Sequence, residues 1–314
     1  MCSDRLRNIN SLTFLMSKKD GTTSNPLTII MDYIRMIFHV DIIAYNIKLN
    51  IIAESKAEIF DIYEHIGNID CEIAVASYMK SMSDVCEPVY ALSGNIINAK
   101  DMYHPLTKTV VTNDIHTQRG VLITGSNASG KSTFLKMLGV NIIFAQCFGF
   151  ALASHFEISP VRLFTSMALK DNLLGEESYY IVETKSLKRI CDASDEYGNV
   201  LGIVDEVLRG TNTIERIAAS YCILKYLSDK NVLCFVATHD SELTDLLAQY
   251  YEMYYFTEEV QKDAVVFPYK INSGVSKKGN AIKLLDIMGY DNGIVSRALN
   301  VIDNFYETGK WEEV

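Results

Sequence analysis

The chain has 314 residues, 48% of them hydrophobic and 22% charged, which suffices for one large domain or two medium ones and excludes a disordered or fibrous polymer. Its 29 Lys and Arg against 39 Asp and Glu leave a formal charge of -10, so a basic coat for nucleic acid is excluded and any such contact must be local. The 7 cysteines are odd in number and widely spaced, without a C-x-x-C pair, which excludes a disulfide-stapled scaffold and fits free thiols in a cytoplasmic protein.

The first residues lack the basic-then-apolar order of a signal peptide. The most apolar early stretch, Pro26 to Ile47, carries Asp32, Arg35, His39 and Asp41, too many ionisable groups for a bilayer span. The chain opens in polar, helix-like sequence without a clear cap, as a piece of a longer protein would. Residues 1 to about 100 read mostly as helix, because Leu27, Ile30, Ile34 and Ile37, and later Ile59, Ile62 and Ile66, recur at three- and four-residue spacings.

From about residue 108 short β-rich runs alternate with helical stretches: Thr109 to Val111, Val121 to Thr124, Val200 to Val204, Val232 to Thr238, Met253 to Phe256 and Val265 to Lys270. This pattern predicts an α/β fold, a sheet covered by helices. After Asn272 the sequence turns helical again, with Ala281 to Met288 and Ile294 to Phe305 separated by Gly289 to Gly293. Three segments follow: a helical one over 1–100, a sheet-bearing one over 101–271 and a closing helical pair over 272–314. No internal repeat or Pro-rich linker marks the first boundary, which rests on the change of period.

Gly125-Ser126-Asn127-Ala128-Ser129-Gly130-Lys131-Ser132 satisfies G-x-x-x-x-G-K-[ST]. It follows the apolar run Val121 to Thr124 and precedes a helix-compatible stretch from Thr133, the strand-loop-helix context that a P-loop requires. Glycines let the backbone curl so that successive N–H groups face phosphate oxygens, and the following helix N-terminus adds partial positive charge. In that reading Lys131 holds the β- and γ-phosphates and Ser132 ligates Mg²⁺. The bland alternative is a glycine turn, which has no need of Lys-Ser at its end.

Val200 to Val204 ends in Asp205 and Glu206, as a buried parallel strand does when it delivers ligand groups just past its C-terminal end. Asp205 is the candidate Mg²⁺ ligand and Glu206 the candidate base for the attacking water. The alternative is a strand emerging into solvent. A third run, Val232 to Thr238, ends at His239, either a solvated residue or a sensor of the γ-phosphate in the same crevice. The remaining histidines show no metal-ligand spacing with cysteine, so no structural zinc is expected.

These residues resemble the ATPase domain of the MutS family of DNA mismatch-repair proteins. Thr124 to Thr133 is similar to that family's T-G-P-N-M-x-G-K-S-T, Asp205 to Thr213 to D-E-x-x-R-G-T-S-T, and Ala237-Thr238-His239 with Glu242-Leu243 to A-T-H-x-x-E-L. His104-Pro105-Leu106 with Asn113-Asp114-Ile115 looks like the stretch leading into the nucleotide pocket, which implies that Val110 and Val111 lie against adenine. The resemblance implies a P-loop NTPase of ABC type, bound to ATP and Mg²⁺, in which two ATPase domains sandwich the nucleotide as a homodimer. It also implies that Ser178 reaches the partner's γ-phosphate, where the alternative is an ordinary helix cap. One departure stands there: the family has Gly two residues before that Ser, and this chain has Glu176 with Gly175 one place earlier. Arg209, Gly210 and Thr211 are implied to lie across the dimer interface, against the alternative of a polar turn, and the tail from Gly274 resembles the family's C-terminal helix-turn-helix.

Residues 1 to about 100 look like the last helices of the family's core and lever region, and no part of the chain resembles its mismatch-reading element. DNA is therefore expected to be engaged mostly through parts outside this chain. The aromatic run from Tyr250 to Phe256 reads as packing rather than a base-stacking platform, and Lys277-Lys278 as a solvated loop. Two rivals share the motifs: a nucleotide-switched protein-interaction module that scarcely hydrolyses ATP, and a small-molecule kinase, which gives no reason for Ser178 or for Arg209 to Thr213.

Overall fold

A computed structural model describes residues 26–92, 94–126, 128–167, 179–261, 264–276 and 281–311. The chain forms two units, one ending at Lys80 and one beginning at Ser81. The first contains helices α1 (Pro26–Ile37), α2 (Val40–Glu54) and α3 (Lys56–Ser81). Pro26 opens α1, where its missing N–H is harmless, and His39 at φ 48° breaks the chain between α1 and α2. The helical period of Ile59, Ile62 and Ile66 is realised in α3, yet all three side chains are exposed. A 3.6-residue period specifies a helix, whereas covering its stripe requires a neighbour. Among the described residues no helix is long and apolar enough to cross a membrane.

The second unit is mixed α/β. In chain order it contains β1 (Val89–Tyr90), β2 (Ile97–Met102), β3 (Asn113–Thr117), β4 (Gly120–Thr124), α4 (Lys131–Phe148), β5 (His155–Ile158), β6 (Arg162–Ser166) and α5 (Tyr179–Glu196). There follow β7 (Val200–Asp205), α6 (Thr213–Asp229), β8 (Leu233–Ala237), α7 (Glu242–Leu247), β9 (Tyr251–Phe256), the hairpin strands β10 (Glu259–Gln261) and β11 (Ala264–Val266), and β12 (Ile271–Ser273). Helices α8 (Ala281–Ile287) and α9 (Asn292–Thr308) close it, close to the helical pair expected from the sequence.

The main sheet has six strands in the order β12-β9-β4-β8-β7-β6, with β12 antiparallel to β9 and every other neighbour parallel. Every residue of β4 and β8 is buried, as the continuous apolar runs require of strands covered on both faces. The pleat sends Ile123, Ile203 and Phe235 to one face, where they meet Phe134, Leu135 and Leu138 of α4. Leu122, Val204 and Val236 go to the other face, against Leu187 and Ile190 of α5, Leu224 and Leu227 of α6, and Leu243 of α7.

A second sheet, in the order β1-β5-β2-β3, adds Ile97, Ala99, Phe156 and Ile158 to the α4 side of the core. The sequence runs did not show it, because β2, β3 and β5 are half-buried and place Lys100, Asp101, His116 and Glu157 between their apolar residues. Nor is the stretch up to residue 100 helical throughout, since β1 and the start of β2 lie within it. Thr109 to Val111, read as a strand, carries none, and Val265 to Lys270 is a strand only to Val266.

Candidate functional site

The register of the main sheet brings three strand ends together. Ile123 of β4 pairs with Ala237 of β8, and Ala237 pairs with Asp205 of β7. Gly125, Glu206 and His239 therefore leave the sheet along one edge, at the C-terminal ends of adjacent parallel strands. Two hydrogen bonds hold the exits in step, Thr238 N to Ile123 O at 3.0 Å and Glu206 N to Ala237 O at 2.9 Å.

The loop from β4 to α4 depends on its glycines. Gly125 has φ 147°, and a Cβ there would sit 2.7 Å from the Phe256 carbonyl oxygen. Gly130 at φ 113° turns the chain into α4, whose first-turn N–H groups have no intrahelical acceptor and are available to an anion. Lys131 is the first helical residue and is buried, its Nζ donating to Gly125 O at 2.7 Å and to Ser126 O at 2.8 Å. Burial pushes its pKa down to about 8, against the opposing pull of the Glu206 and Asp205 carboxylates. Ser126 Oγ donates to Glu258 at 2.6 Å, while Ser129 Oγ is buried without a hydrogen-bond partner. Asn127 lies outside the described residues.

At the end of β7, Asp205 keeps Oδ1 buried without a donor. The chain then turns through left-handed conformations at Glu206 (φ 64°) and Leu208 (φ 56°). The Glu206 carboxylate is held from both sides, with His239 Nε2 2.8 Å from Oε1 and Arg209 Nε against Oε2. Burial pushes the Glu206 carboxyl up, but the His239 hydrogen bond and the charges of His239, Arg209 and Lys131 outweigh it and hold the group below the usual carboxylate range.

Glu183 of α5, which carried no role in the sequence reading, is a buried carboxyl beside the turn after β7, near the backbone N–H groups of Leu208 and Arg209, with its Oε2 left without a hydrogen-bond partner. Burial raises its pKa, partly opposed by those two donors. A carboxylate one turn inside a helix reads as a surface residue in sequence, and only the fold shows it covered.

Ser126, Ser129, Lys131, Glu206, Arg209 and His239 border one cavity of about 750 Å³, within the roughly 300–1,000 Å³ of small-molecule sites, whereas Asp205, Gly125 and Glu183 lie behind its lining. The loop residues Ser126 and Ala128 to Thr133 form one wall, and Glu206, Arg209 and His239 another. The third wall comes from Thr107 to Thr109, Val111 and Asn113 with Phe267, Pro268 and Tyr269. Asn113 joins these two segments, donating to Tyr269 O at 3.1 Å and accepting from Ile271 N at 2.8 Å. Val111 thus borders the cavity, while Val110 is exposed away from it, and Gly210 and Thr211 do not line it. The apolar Phe267-Pro268-Tyr269 wall is a site element that the sequence runs, reading this stretch as strand, concealed. Ser178 lies outside the described residues, and α5 begins at the next residue.

Residues 121–306 match the family model of MutS domain V. The chain is 29% identical over 257 residues to the DNA mismatch repair protein MutS of Pseudothermotoga lettingae, covering 78% of this chain and 31% of that protein. It is 30% identical over 267 residues to the MutS of Thermotoga maritima, covering 82% and 33%. To the DNA mismatch repair protein MSH3 of Vanderwaltozyma polyspora it is 28% identical over 257 residues, covering 76% and 25%. The chain spans about a third of the length of the first two of these relatives.

Proposed function

The chain belongs to the MutS family, and on that premise we propose that it is a Mg²⁺-dependent ATP hydrolase of P-loop, ABC type that works as a homodimer coupled to DNA binding in repair or recombination control. The observation that carries this reading is the meeting of Lys131, Glu206 and His239 on one cavity at the ends of β4, β7 and β8. Residues 125–133 are suited to hold the triphosphate through loop N–H groups, the α4 N-terminus and the Lys131 ammonium. Val111 and Tyr269 offer apolar surface to a base within the cavity, the Tyr269 ring lying against Gly130 of the loop.

Ser132 and Asp205 are the proposed Mg²⁺ ligands. The donor set fits, because a hydroxyl and a carboxylate are hard oxygen ligands and Asp205 Oδ1 is a buried acceptor with no donor of its own. Bound there, the ion would neutralise charge developing on the phosphoryl oxygens. Glu206 stays ionised at neutral pH and is suited to orient the attacking water and accept its proton, with His239 beside it toward the terminal phosphate. Arg209, Gly210, Thr211 and Ser178 are proposed to face the second copy. A core- or lever-like segment (1–100), whose described helices end at Ser81, an ATPase domain (101–271), a C-terminal dimerisation element (272–314) and a cytoplasmic location are parts of the same proposal.

One observation favours the second reading, a nucleotide-switched module with little hydrolysis: both Glu206 oxygens are already engaged, by His239 and by Arg209. Glu206→Gln decides between them. On the enzyme reading it retains ATP binding, loses turnover by about a hundredfold or more, and accumulates an ATP-bound dimer in sedimentation. A variant that hydrolyses ATP at the parent rate would refute the role of Glu206, and a parent without turnover at saturating ATP and Mg²⁺ would favour the module.

A further inference from the structure

Beside the Glu206–His239 pair lies a smaller cavity of about 300 Å³, to which Arg216 of α6 and Asp240 of the turn after β8 both contribute. The two side chains form a fork: Arg216 Nε donates to Asp240 Oδ2 at 2.9 Å and Nη2 to Oδ1 at 2.6 Å. They are 22% and 13% exposed, so the pair is largely shielded from water. A two-bond guanidinium–carboxylate contact fixes direction as well as distance, which a lysine or a single hydrogen bond does not.

We propose that Arg216 and Asp240 are positioning residues whose ion pair holds the turn after β8 where His239 can meet Glu206. This rests on the reading of His239 and Glu206 as parts of an ATP-hydrolysing site. The His239 side chain is 36% exposed, so surrounding packing does little to fix its ring, and the backbone that carries it must be held instead. On one side, Thr238 is tied to β4 through Ile123 O at 3.0 Å. On the other, Asp240 N donates to Thr238 Oγ1 at 3.0 Å and the Asp240 carboxylate takes the fork.

Arg216 stands in the first turn of α6, its N–H donating to Asn212 O at 2.9 Å, and Asn212 caps that helix by accepting from Glu215 N at 3.0 Å. The loop of Arg209 to Asn212 runs directly into this cap. The fork thus links this loop to the turn that carries His239, alongside the contact of Arg209 with Glu206.

The test compares Arg216→Met, Asp240→Asn and the reversed pair R216D/D240R with the parent, measuring kcat for ATP hydrolysis separately from the Kd for ATP. Each single substitution should lower kcat about tenfold while Kd stays within about twofold, and the reversed pair should return to within about threefold of the parent kcat. Unchanged kcat in both singles overturns the proposal. So does a parallel loss of kcat, ATP affinity and thermal stability that the reversed pair does not repair. If the parent hydrolyses no ATP, the reading of the site fails on its own, and crystal structures of the parent and of R216M decide the positioning role. His239 Nε2 moved beyond hydrogen-bond reach of Glu206 in R216M upholds it, and a separation kept at 2.8 Å overturns it.

Discussion

Raising the pH from 7 to 9 at constant salt and Mg²⁺ should weaken ATP binding by about tenfold, because Lys131 loses its proton in the free protein within that window. Its side chain is buried, and the cost of keeping an ammonium there sets its pKa at about 8. A triphosphate against Nζ favours the charged form and lifts the pKa back, so binding takes up the protons that the free lysine lacks. That uptake is about 0.1 proton at pH 7, about half a proton at pH 8 and about 0.9 at pH 9, and the affinity lost between the extremes is about 1.4 kcal/mol. The sign for folding is opposite. With the folded pKa below the unfolded value of 10.5, the unfolded chain binds more protons between about pH 8 and 10.5, and the free protein gains up to about 3 kcal/mol across that interval. Isothermal titration in two buffers of different ionisation enthalpy reads the proton uptake directly, and Lys131→Met should abolish it. Tight binding that takes up no proton at pH 8 and keeps the same Kd from pH 7 to 9 would refute the placement of Lys131 against phosphate.

Two further outcomes concern the scaffold. Asn141 is fully buried on α4 and spans three chain segments, donating to Tyr103 O and Met137 O and accepting from Leu152 N at 2.7 Å. Asn141→Ala strands the Leu152 N–H and leaves a void, which should lower the unfolding free energy by about 2–4 kcal/mol in urea titration; a loss below about 0.5 kcal/mol would contradict this account. Cys234 is fully buried on β8, its thiol pushed up to about 12 by burial, whereas Cys71, Cys147 and Cys222 are exposed. Iodoacetamide at pH 8 should label the exposed three in the native protein and reach Cys234 only after unfolding, and comparable rates at Cys234 and Cys222 would show that this face of the sheet opens readily.

The legible parts of the fold are those whose signal is carried by consecutive residues. β4, β7 and β8 are near-continuous apolar runs because the strands are covered on both faces, while β9, rich in Tyr, is partly buried along Glu252 to Tyr255. The second sheet escaped notice because β2, β3 and β5 bury only some of their residues and carry charges between them, a pattern shared with loops and helix faces. Thr109 to Val111 failed in the opposite sense. Its β-branched residues suit a strand, but Thr109 and Val111 line the cavity instead, with Asn113 joining the chain just beyond them to Tyr269 and Ile271.

What the amino-acid order settled by itself is local. Gly125 and Gly130 permit backbone angles that a side chain would block, and Lys131 falls at the first residue of α4 because the loop before it has a fixed length. The order of residues also placed carboxylates at the end of one apolar run and a histidine at the end of another. Which of those ends meet was decided by strand order and register, since β8 lies between β4 and β7 although it follows both in the chain. The pairing of Glu206 with His239, the burial of Glu183 beside the turn after β7, and the fork between Arg216 and Asp240 belong to that second category. Each joins residues on different elements, and pairing over such separations is fixed by how two faces of one sheet pack their helices, which no periodicity within a single segment encodes.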